Sequence, residues 1–219
     1  MSIERTPKTM MATDKKLRRR LTPEERKDEL IEACYKVISK RGLFQTTVPF
    51  VVKAAGTSQG TFYHYFSDIN DAFIQTARAV IEPILQFSEV ADFSRCTSSK
   101  ELESTLFEIY IAFADFLTAH QPFLKEVFFV ARGGERKMAR KVEQLLKQIH
   151  QRTTEVADRV NGVQPFRSYD SEIVAAAIVG MILYSGLHEQ TGPASKGREL
   201  WAREMARFET GALVQGLSR

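Results

Sequence analysis

The chain has 219 residues, 43% hydrophobic and 26% charged, a balance typical of a folded globular protein and not of a disordered one. Twelve glycines and seven prolines are few for a turn-rich all-β fold, and two cysteines are too few for a disulfide framework or a metal cluster. The longest apolar run, residues 173–184, is shorter than the ~20 residues of a membrane helix, and the first residues lack the apolar stretch of a secretory signal. We therefore expect a cytoplasmic protein without a membrane anchor.

The net charge of +4 is concentrated at the beginning of the chain. Residues 1–20 hold seven basic and two acidic residues, a balance of +5, so the rest of the chain sums to −1. This segment has little apolar content and no helical or strand periodicity. Residues 1–21 are therefore predicted to form a flexible basic arm.

A first helix is predicted to begin directly after this arm. Thr22, Pro23 and Glu25 combine a capping hydroxyl, a proline at the first helical position and a glutamate three residues after the cap. Apolar residues then recur at spacings of three and four, which gives the helix one buried face. Gly42 predicts where this helix ends.

Two short helices are predicted next. The first covers residues 48–55, with Thr46 or Thr47 as its cap. The second follows the cap residue Ser58 and runs to about residue 66. A turn of about three residues separates them, and this spacing predicts a helix-turn-helix domain over residues 22–67.

The remaining residues, 68–219, show helical periodicity throughout and predict a second, all-helical domain. Helices are predicted over residues 67–90, 99–120, 121–132, 135–160, 170–189 and 195–217. We expect Pro83 to bend or break the first of these, Pro122 to begin a new helix, and Pro193 to follow a break before the last one. The whole chain is thus predicted to be all-α, with about nine helices.

The predicted third helix is rich in side chains that hydrogen-bond. Phe62 and Phe66, four residues apart, can anchor it to the core while its other residues face outward. The outward-facing candidates for DNA contact are Ser58, Gln59, Gly60, Thr61, Tyr63, His64 and Tyr65. Glutamine can bond the adenine edge, threonine can touch a thymine methyl group, and tyrosine and histidine commonly reach phosphates. Gly60, which has no side chain, lets the helix N-terminus come close to a phosphate.

The run AGTSQGTFYHYF at residues 55–66, with GLF at 42–44 and TT at 46–47, resembles the TetR family of bacterial transcriptional regulators. The resemblance extends in detail over about residues 26–73. It implies a homodimeric repressor that inserts one helix per subunit into the major groove of a palindromic operator and releases the DNA when a small ligand binds the C-terminal domain. It also implies that Thr47 contacts a phosphate at the start of the second helix.

Two departures from that family affect how the DNA is attracted. Ile69 stands where the family usually has a phosphate-contacting lysine, and residues 58–66 contain neither lysine nor arginine. Each neutralised phosphate contributes about −0.9 to the slope of log affinity against log salt concentration. We therefore expect the arm to supply the positive charge, with Arg18, Arg19 and Arg20 in the adjacent minor groove.

Two sets of residues are candidates for the C-terminal domain. The predicted helix over residues 99–120 is apolar around much of its circumference, so it is expected to be central and to border a cavity for a small apolar or aromatic effector. The candidate lining residues are Phe107, Tyr110, Phe129, Met181 and Tyr184. The resemblance implies a four-helix dimer interface formed by the last two helices. Its candidate residues are Ala176, Gly180, Trp201, Met205 and Phe208.

Two other functions stay open at this point. An architectural or cell-division factor of the same fold would bind DNA without an effector. An enzyme on a helical scaffold is less favoured, because the four histidines lie on separate predicted elements and no nucleophile and base are paired. We expect no cofactor and no metal, and a location at the bacterial nucleoid when the protein is bound to DNA.

Overall fold

A computed structural model describes residues 21–133, 136–161 and 167–214, and the described residues form nine helices, which confirms the all-α prediction. The helices are α1 (Pro23–Arg41), α2 (Val48–Ala55), α3 (Gln59–Tyr65), α4 (Ile69–Glu89), α5 (Ser99–Gly133), α6 (Arg136–Val160), α7 (Ser171–Leu187), α8 (Pro193–Lys196) and α9 (Arg198–Leu213). The arm residues Arg18, Arg19 and Arg20 lie outside the described residues. Within the described ranges, no helix is long and apolar enough to cross a membrane.

The ends of the first three helices follow local capping chemistry. The Thr22 hydroxyl accepts a hydrogen bond from the Glu25 backbone N–H at 3.2 Å, and the Glu25 carboxylate accepts one from the Thr22 N–H at 2.8 Å. Gly42 ends α1 with φ 79°, a conformation that favours glycine. The Ser58 hydroxyl caps α3 by accepting from the Thr61 N–H at 3.2 Å. These ends agree closely with the sequence because each is set by a few adjacent residues.

Proline does not interrupt the long helices. Pro83 lies inside α4, and the predicted break at Pro122 is wrong because α5 is continuous over 35 residues. An internal proline costs about 3 kcal/mol. Around Pro122 this cost is offset by Leu117, Phe123 and Leu124, which are all buried and contribute roughly 1.5–3 kcal/mol each. Pro122 itself is exposed, so its ring displaces no core side chain.

The end of the chain also differs from the prediction of a single last helix over residues 195–217. The short α8 is followed by α9, and Gly197 separates them with φ 88° and ψ 138°. This backbone conformation is outside the helical region and favours glycine. The described residues therefore give nine helices, as expected, only because two predicted helices are fused and another is divided.

A single cluster of buried side chains joins the first three helices to the rest of the molecule. Helix α5 is its centre, since it packs against α1, α4, α6, α7, α8 and α9, and its most extensive pairing is with α9. Tyr110 and Phe123 of this helix are fully buried. Because α1 packs on both α4 and α5, a displacement in the C-terminal helices has a direct path to the N-terminal ones.

Candidate DNA-binding surface and ligand cavity

Helix α3 presents its polar side chains to solvent and is anchored by two phenylalanines. Phe62 and Phe66 are buried, while Thr61 and Tyr65 are half-buried. The exposed members of the predicted set are Ser58, Gln59, Gly60, Tyr63 and His64. All seven predicted residues are therefore brought together on one short element, and five of them are open to a partner.

Aromatic neighbours hold the tyrosine and histidine rings of α3 in place. The Tyr63 ring meets Phe62 edge-on, with centroids 5.5 Å apart and an interplanar angle of 89°. The His64 ring meets Tyr65 in the same manner at 4.9 Å. Rings that are already oriented lose little side-chain entropy when they bind. Tyr63 and His64 are therefore exposed, with their rings oriented by neighbouring aromatic side chains.

Thr47 occupies the cap position of α2, is exposed and makes no capping hydrogen bond with its side chain. Its hydroxyl is therefore available for an external acceptor such as a phosphate. Thr46, the alternative cap, is buried, and its hydroxyl donates to the Gly42 carbonyl at 2.7 Å. Ile69 is half-buried at the start of α4 and packs against the core.

A cavity of about 140 Å³ lies inside the C-terminal half, between α4, α5, α6, α7 and α9. Helix α4 contributes Ile81, Ile84 and Leu85 to its wall, and α5 contributes side chains at intervals from Leu102 to Leu124. The walls are apolar apart from three hydroxyl groups and one carboxyl group. A dry engineered cavity of ~150 Å³ with such walls binds benzene, so this one can hold a small apolar group.

The carboxyl group belongs to Glu209 of α9, which is 8% exposed. The Tyr110 hydroxyl donates a hydrogen bond to its Oε2 atom. Burial raises the pKa of Glu209 to about 7, and this hydrogen bond only partly opposes that effect. Burial and the neighbouring Glu209 charge together hold the pKa of Tyr110 well above its usual range.

Of the five predicted lining residues, the structure places only Tyr110 on the cavity wall. Phe129 is exposed and meets the ring of Phe44, and Tyr184 is exposed and stacks on His188. Phe107 lies under the Arg203 guanidinium at a separate surface depression, and Met181 is half-buried outside the wall. These four residues lie on sides of their helices that do not face the cavity. Which side faces the cavity depends on tertiary packing.

Among the cavity residues that were not predicted, Glu209 is the charged one. One signal was present: Glu209 continues the four-residue spacing of Trp201 and Met205, both of which are buried on the same helix. A glutamate on an apolar stripe is unusual, because buried carboxyl groups are costly without a specific partner.

The predicted dimer residues fall into two groups. Ala176 and Gly180 on α7 and Phe208 on α9 are exposed. The assignment of Trp201 and Met205 to the dimer interface is wrong, because both side chains are buried within the chain. The Trp201 ring packs edge-on against Tyr110, and its indole N–H donates to the Ser185 hydroxyl at 3.2 Å. They belong to the α5–α9 core and are not available to a second subunit.

Three polar contacts connect α5 to α1 and the loop after it, and in one of them the Tyr35 hydroxyl donates to the Ala119 carbonyl at 3.4 Å. The Leu43 backbone N–H donates to the Glu126 carboxylate at 2.9 Å. The Tyr35 hydroxyl lies 2.9 Å from the His120 Nδ1 atom, and the His120 ring lies 4.9 Å from Phe116, which lines the cavity. Burial lowers the pKa of His120, which favours the neutral ring.

A short exposed polar helix, α3, packs on a second short helix, α2, and this is the arrangement of a helix-turn-helix motif. Residues 30–75 match the profile of bacterial regulatory proteins of the tetR family. A 43-residue stretch is 46% identical to the HTH-type transcriptional regulator YvdT of Bacillus subtilis. This stretch covers 20% of the present chain and 22% of YvdT, so the chain aligns with about a fifth of that relative's length.

Similarity of fold extends over most of the chain. The fatty acid degradation regulator FadR from Bacillus halodurans superposes with a TM-score of 0.71 at 18% identity, over 88% of this chain and 97% of FadR. SmeT, solved in complex with triclosan, gives a TM-score of 0.64 at 16% identity, over 87% of this chain and 92% of SmeT. Residues 30–75 of the chain therefore resemble the N-terminal DNA-binding domain of the tetR family of bacterial regulatory proteins.

Proposed function

We propose that the protein is a homodimeric repressor that binds a palindromic operator through α3 and releases it when a small apolar or aromatic molecule enters the cavity. The observation that carries the proposal is the pairing of an exposed polar α3 with an apolar cavity in one continuous core. SmeT, which shares the fold, was solved with triclosan, and this supports an effector of that general kind. We expect no catalytic activity, and we expect the protein to act in the cytoplasm.

On DNA, α3 is proposed to distinguish the base sequence, and the basic arm is proposed to attract the negatively charged phosphates. Gln59, Thr61 and Tyr63 would read bases or contact phosphates, and Thr47 would contact a phosphate at the start of α2. Arg18 and Arg19, with Arg20, would lie in the adjacent minor groove. Selection from random DNA duplexes tests this assignment. A palindromic sequence should be enriched, whereas recovery of DNA without any common sequence would contradict it.

Release requires that a change at the cavity reach α3. Helix α4 spans both places, because Ile81 and Ile84 line the cavity while its first turn follows directly on α3. A second route runs from Phe116 through His120 to Tyr35 on α1. 1-Hexanol is a suitable neutral probe, since it can fill an apolar cavity of this size. We expect it to lower the affinity for the selected operator.

The Tyr35–His120 contact gives a prediction for this coupling. Tyr35→Phe removes the hydroxyl and should reduce the hexanol-induced loss of operator affinity by about 3- to 10-fold, in the range of single-residue effects on coupling. Operator affinity without hexanol should stay within about twofold. Fluorescence anisotropy of labelled operator, with and without hexanol, measures both quantities. Tyr184→Phe removes the same atom from an exposed tyrosine and should leave the coupling unchanged; equal coupling in both variants would eliminate this route.

The homodimer is proposed to form through the exposed faces of α7 and α9. Ile173 and Phe208 are each 69% exposed, and a side chain added at Gly180 or Gly211 would meet nothing within 4 Å. Large exposed apolar side chains beside open glycines are suited to close packing against a second copy. The two-fold axis would then place two α3 helices on one face, as operator binding requires.

Phe208→Glu should convert the dimer to a monomer. Two buried phenylalanines are lost and two charges gained per dimer, so the dimer dissociation constant should rise at least ~100-fold. Sedimentation equilibrium measures this change, and circular dichroism should show unchanged helicity. Phe87→Glu is the matched control, because Phe87 is also exposed but lies on α4. A Phe208→Glu variant that remains dimeric would place the interface elsewhere.

A further inference from the structure

The polar groups of the cavity differ in what they can offer a ligand. Three hydroxyl groups line it, and each is already engaged within the protein. The Thr153 hydroxyl donates to the Ile149 carbonyl at 3.0 Å, the Tyr169 hydroxyl donates to the Ala157 carbonyl at 2.9 Å, and Tyr110 donates to Glu209. The cavity therefore offers an incoming molecule an acceptor, the Glu209 carboxyl group, and no uncommitted hydroxyl donor.

The Glu209 carboxyl group also lacks a cation. Among the residues described for the cavity wall there is no lysine, arginine or histidine. The three arginines of the same helix are engaged at the surface: Arg207 contacts Glu103 and Glu204, Arg203 lies over the Phe107 ring, and Arg198 contacts Asp115. The Tyr110 hydrogen bond is thus the only compensation for Glu209 among the described residues, and a buried carboxylate normally requires more.

The shape and walls of the cavity define the rest of the ligand. Its lining follows α5 from Leu102 to Leu124, and the opposite walls are aliphatic side chains of α4 and α7. A linear hydrocarbon chain therefore fits this cavity better than a highly polar chain does. A ligand carboxylate would be repelled by ionised Glu209 and would meet no free hydroxyl, whereas a ligand ammonium group would meet an uncompensated carboxylate.

From this arrangement we infer that the effector class is a small lipophilic organic cation whose ammonium group binds Glu209 while its hydrocarbon body fills the apolar cavity. This inference rests on the proposed function, because it names the effector of the same cavity. The raised pKa of Glu209 agrees with it, since a carboxyl group held in a dry site without a cation resists ionisation until a cation arrives.

A matched series of three probes tests the inference at pH 8: hexylammonium, 1-hexanol and hexanoate. They share one hydrocarbon body and differ in the head group. We expect the wild-type dissociation constant for hexylammonium to be at least ~10-fold lower than for hexanol, as for a hydrogen bond to a charged group, and hexanoate to be the weakest. Isothermal titration and the ligand-induced shift in melting temperature both measure this order. Hexanoate binding as tightly as hexylammonium would overturn the inference, as would failure of all three probes to bind.

Variants then attribute the preference to Glu209. Glu209→Gln should reduce the preference for hexylammonium over hexanol to less than about twofold while hexanol still binds, because only the charge interaction is lost. Glu204→Gln is the matched control on the same helix; its side chain is exposed and should leave the preference intact. Tyr110→Phe keeps the carboxyl group and should also retain the preference. An unchanged preference in Glu209→Gln would overturn the assignment.

The operator separates this inference from the proposed function. If hexylammonium binds in a Glu209-dependent manner but leaves operator affinity unchanged, the proposed release mechanism fails and the assignment of the cation site stands. If hexanoate or hexanol releases the operator as effectively as hexylammonium, release stands and the cation assignment fails.

Discussion

Tyr63→Ala is expected to abolish sequence-specific DNA binding while leaving the fold and the dimer intact. Tyr63 is 56% exposed on α3, and its ring is held edge-on by Phe62, so its loss removes a prepared contact and no core packing. The proposed dimer would lose two copies of the contact. At about 1–2 kcal/mol per copy, operator affinity should fall by roughly 30- to 1,000-fold.

The matched variants identify which part of Tyr63 matters. Tyr63→Phe keeps the ring and removes the hydroxyl, so an intermediate loss would indicate a hydrogen bond to a phosphate. Phe87→Ala removes an exposed ring of α4 and should not affect operator affinity. Fluorescence anisotropy on the selected operator gives the affinities, and circular dichroism checks the fold. Wild-type affinity of Tyr63→Ala would remove α3 from the recognition surface.

A second large effect is expected in the pH dependence of stability. Glu209→Gln should become progressively more stable than the wild type as the pH rises from 4 to 8. The pKa of Glu209 is raised from an ordinary 4.5 to about 7 by burial. The native state therefore holds this proton more tightly than the unfolded state does. Below about pH 4.5 both states are protonated and there is no penalty.

As the pH rises, the unfolded chain ionises first, and the stability of the wild type is lost until the native carboxyl group also ionises near pH 7. The difference in the free energy of unfolding between the two proteins should grow by about 3 kcal/mol over this interval. Urea denaturation at several pH values measures it. Glu204→Gln, an exposed site on the same helix, should show no such growth. A constant difference between Glu209→Gln and the wild type would mean that Glu209 ionises normally in the native state.

The parts of the fold that could be predicted from the sequence are those set by neighbours in the chain. The start of α1 at Thr22, the range of α2 and the Ser58 cap of α3 depend on a few adjacent residues, and all agree with the structure. Pro122 is the opposite case. Its local preference is to interrupt a helix, but burial of Leu117 and Phe123 on either side outweighs that preference.

In the candidate site, too, the features set by adjacent residues could be predicted and those set by tertiary packing could not. The polar residues of α3 are adjacent in sequence, so their grouping could be predicted. The cavity is assembled from five helices, and the side of each helix that faces it depends on packing that the sequence does not display. Phe129 and Tyr184 are aromatic and near apolar runs, yet they point outward. Glu209 is acidic, yet it faces inward, because it lies on the side of α9 that packs along α5.

Helix α9 presents Phe208 to the outside and Glu209, its immediate neighbour, to the cavity. Because the two residues are adjacent on one helix, a rotation of α9 that adjusted Glu209 to a bound molecule would also move Phe208. In the proposed homodimer, Phe208 lies against the second subunit. The two cavities would then be coupled through adjacent side chains of one helix, and occupancy of the first would change the affinity of the second.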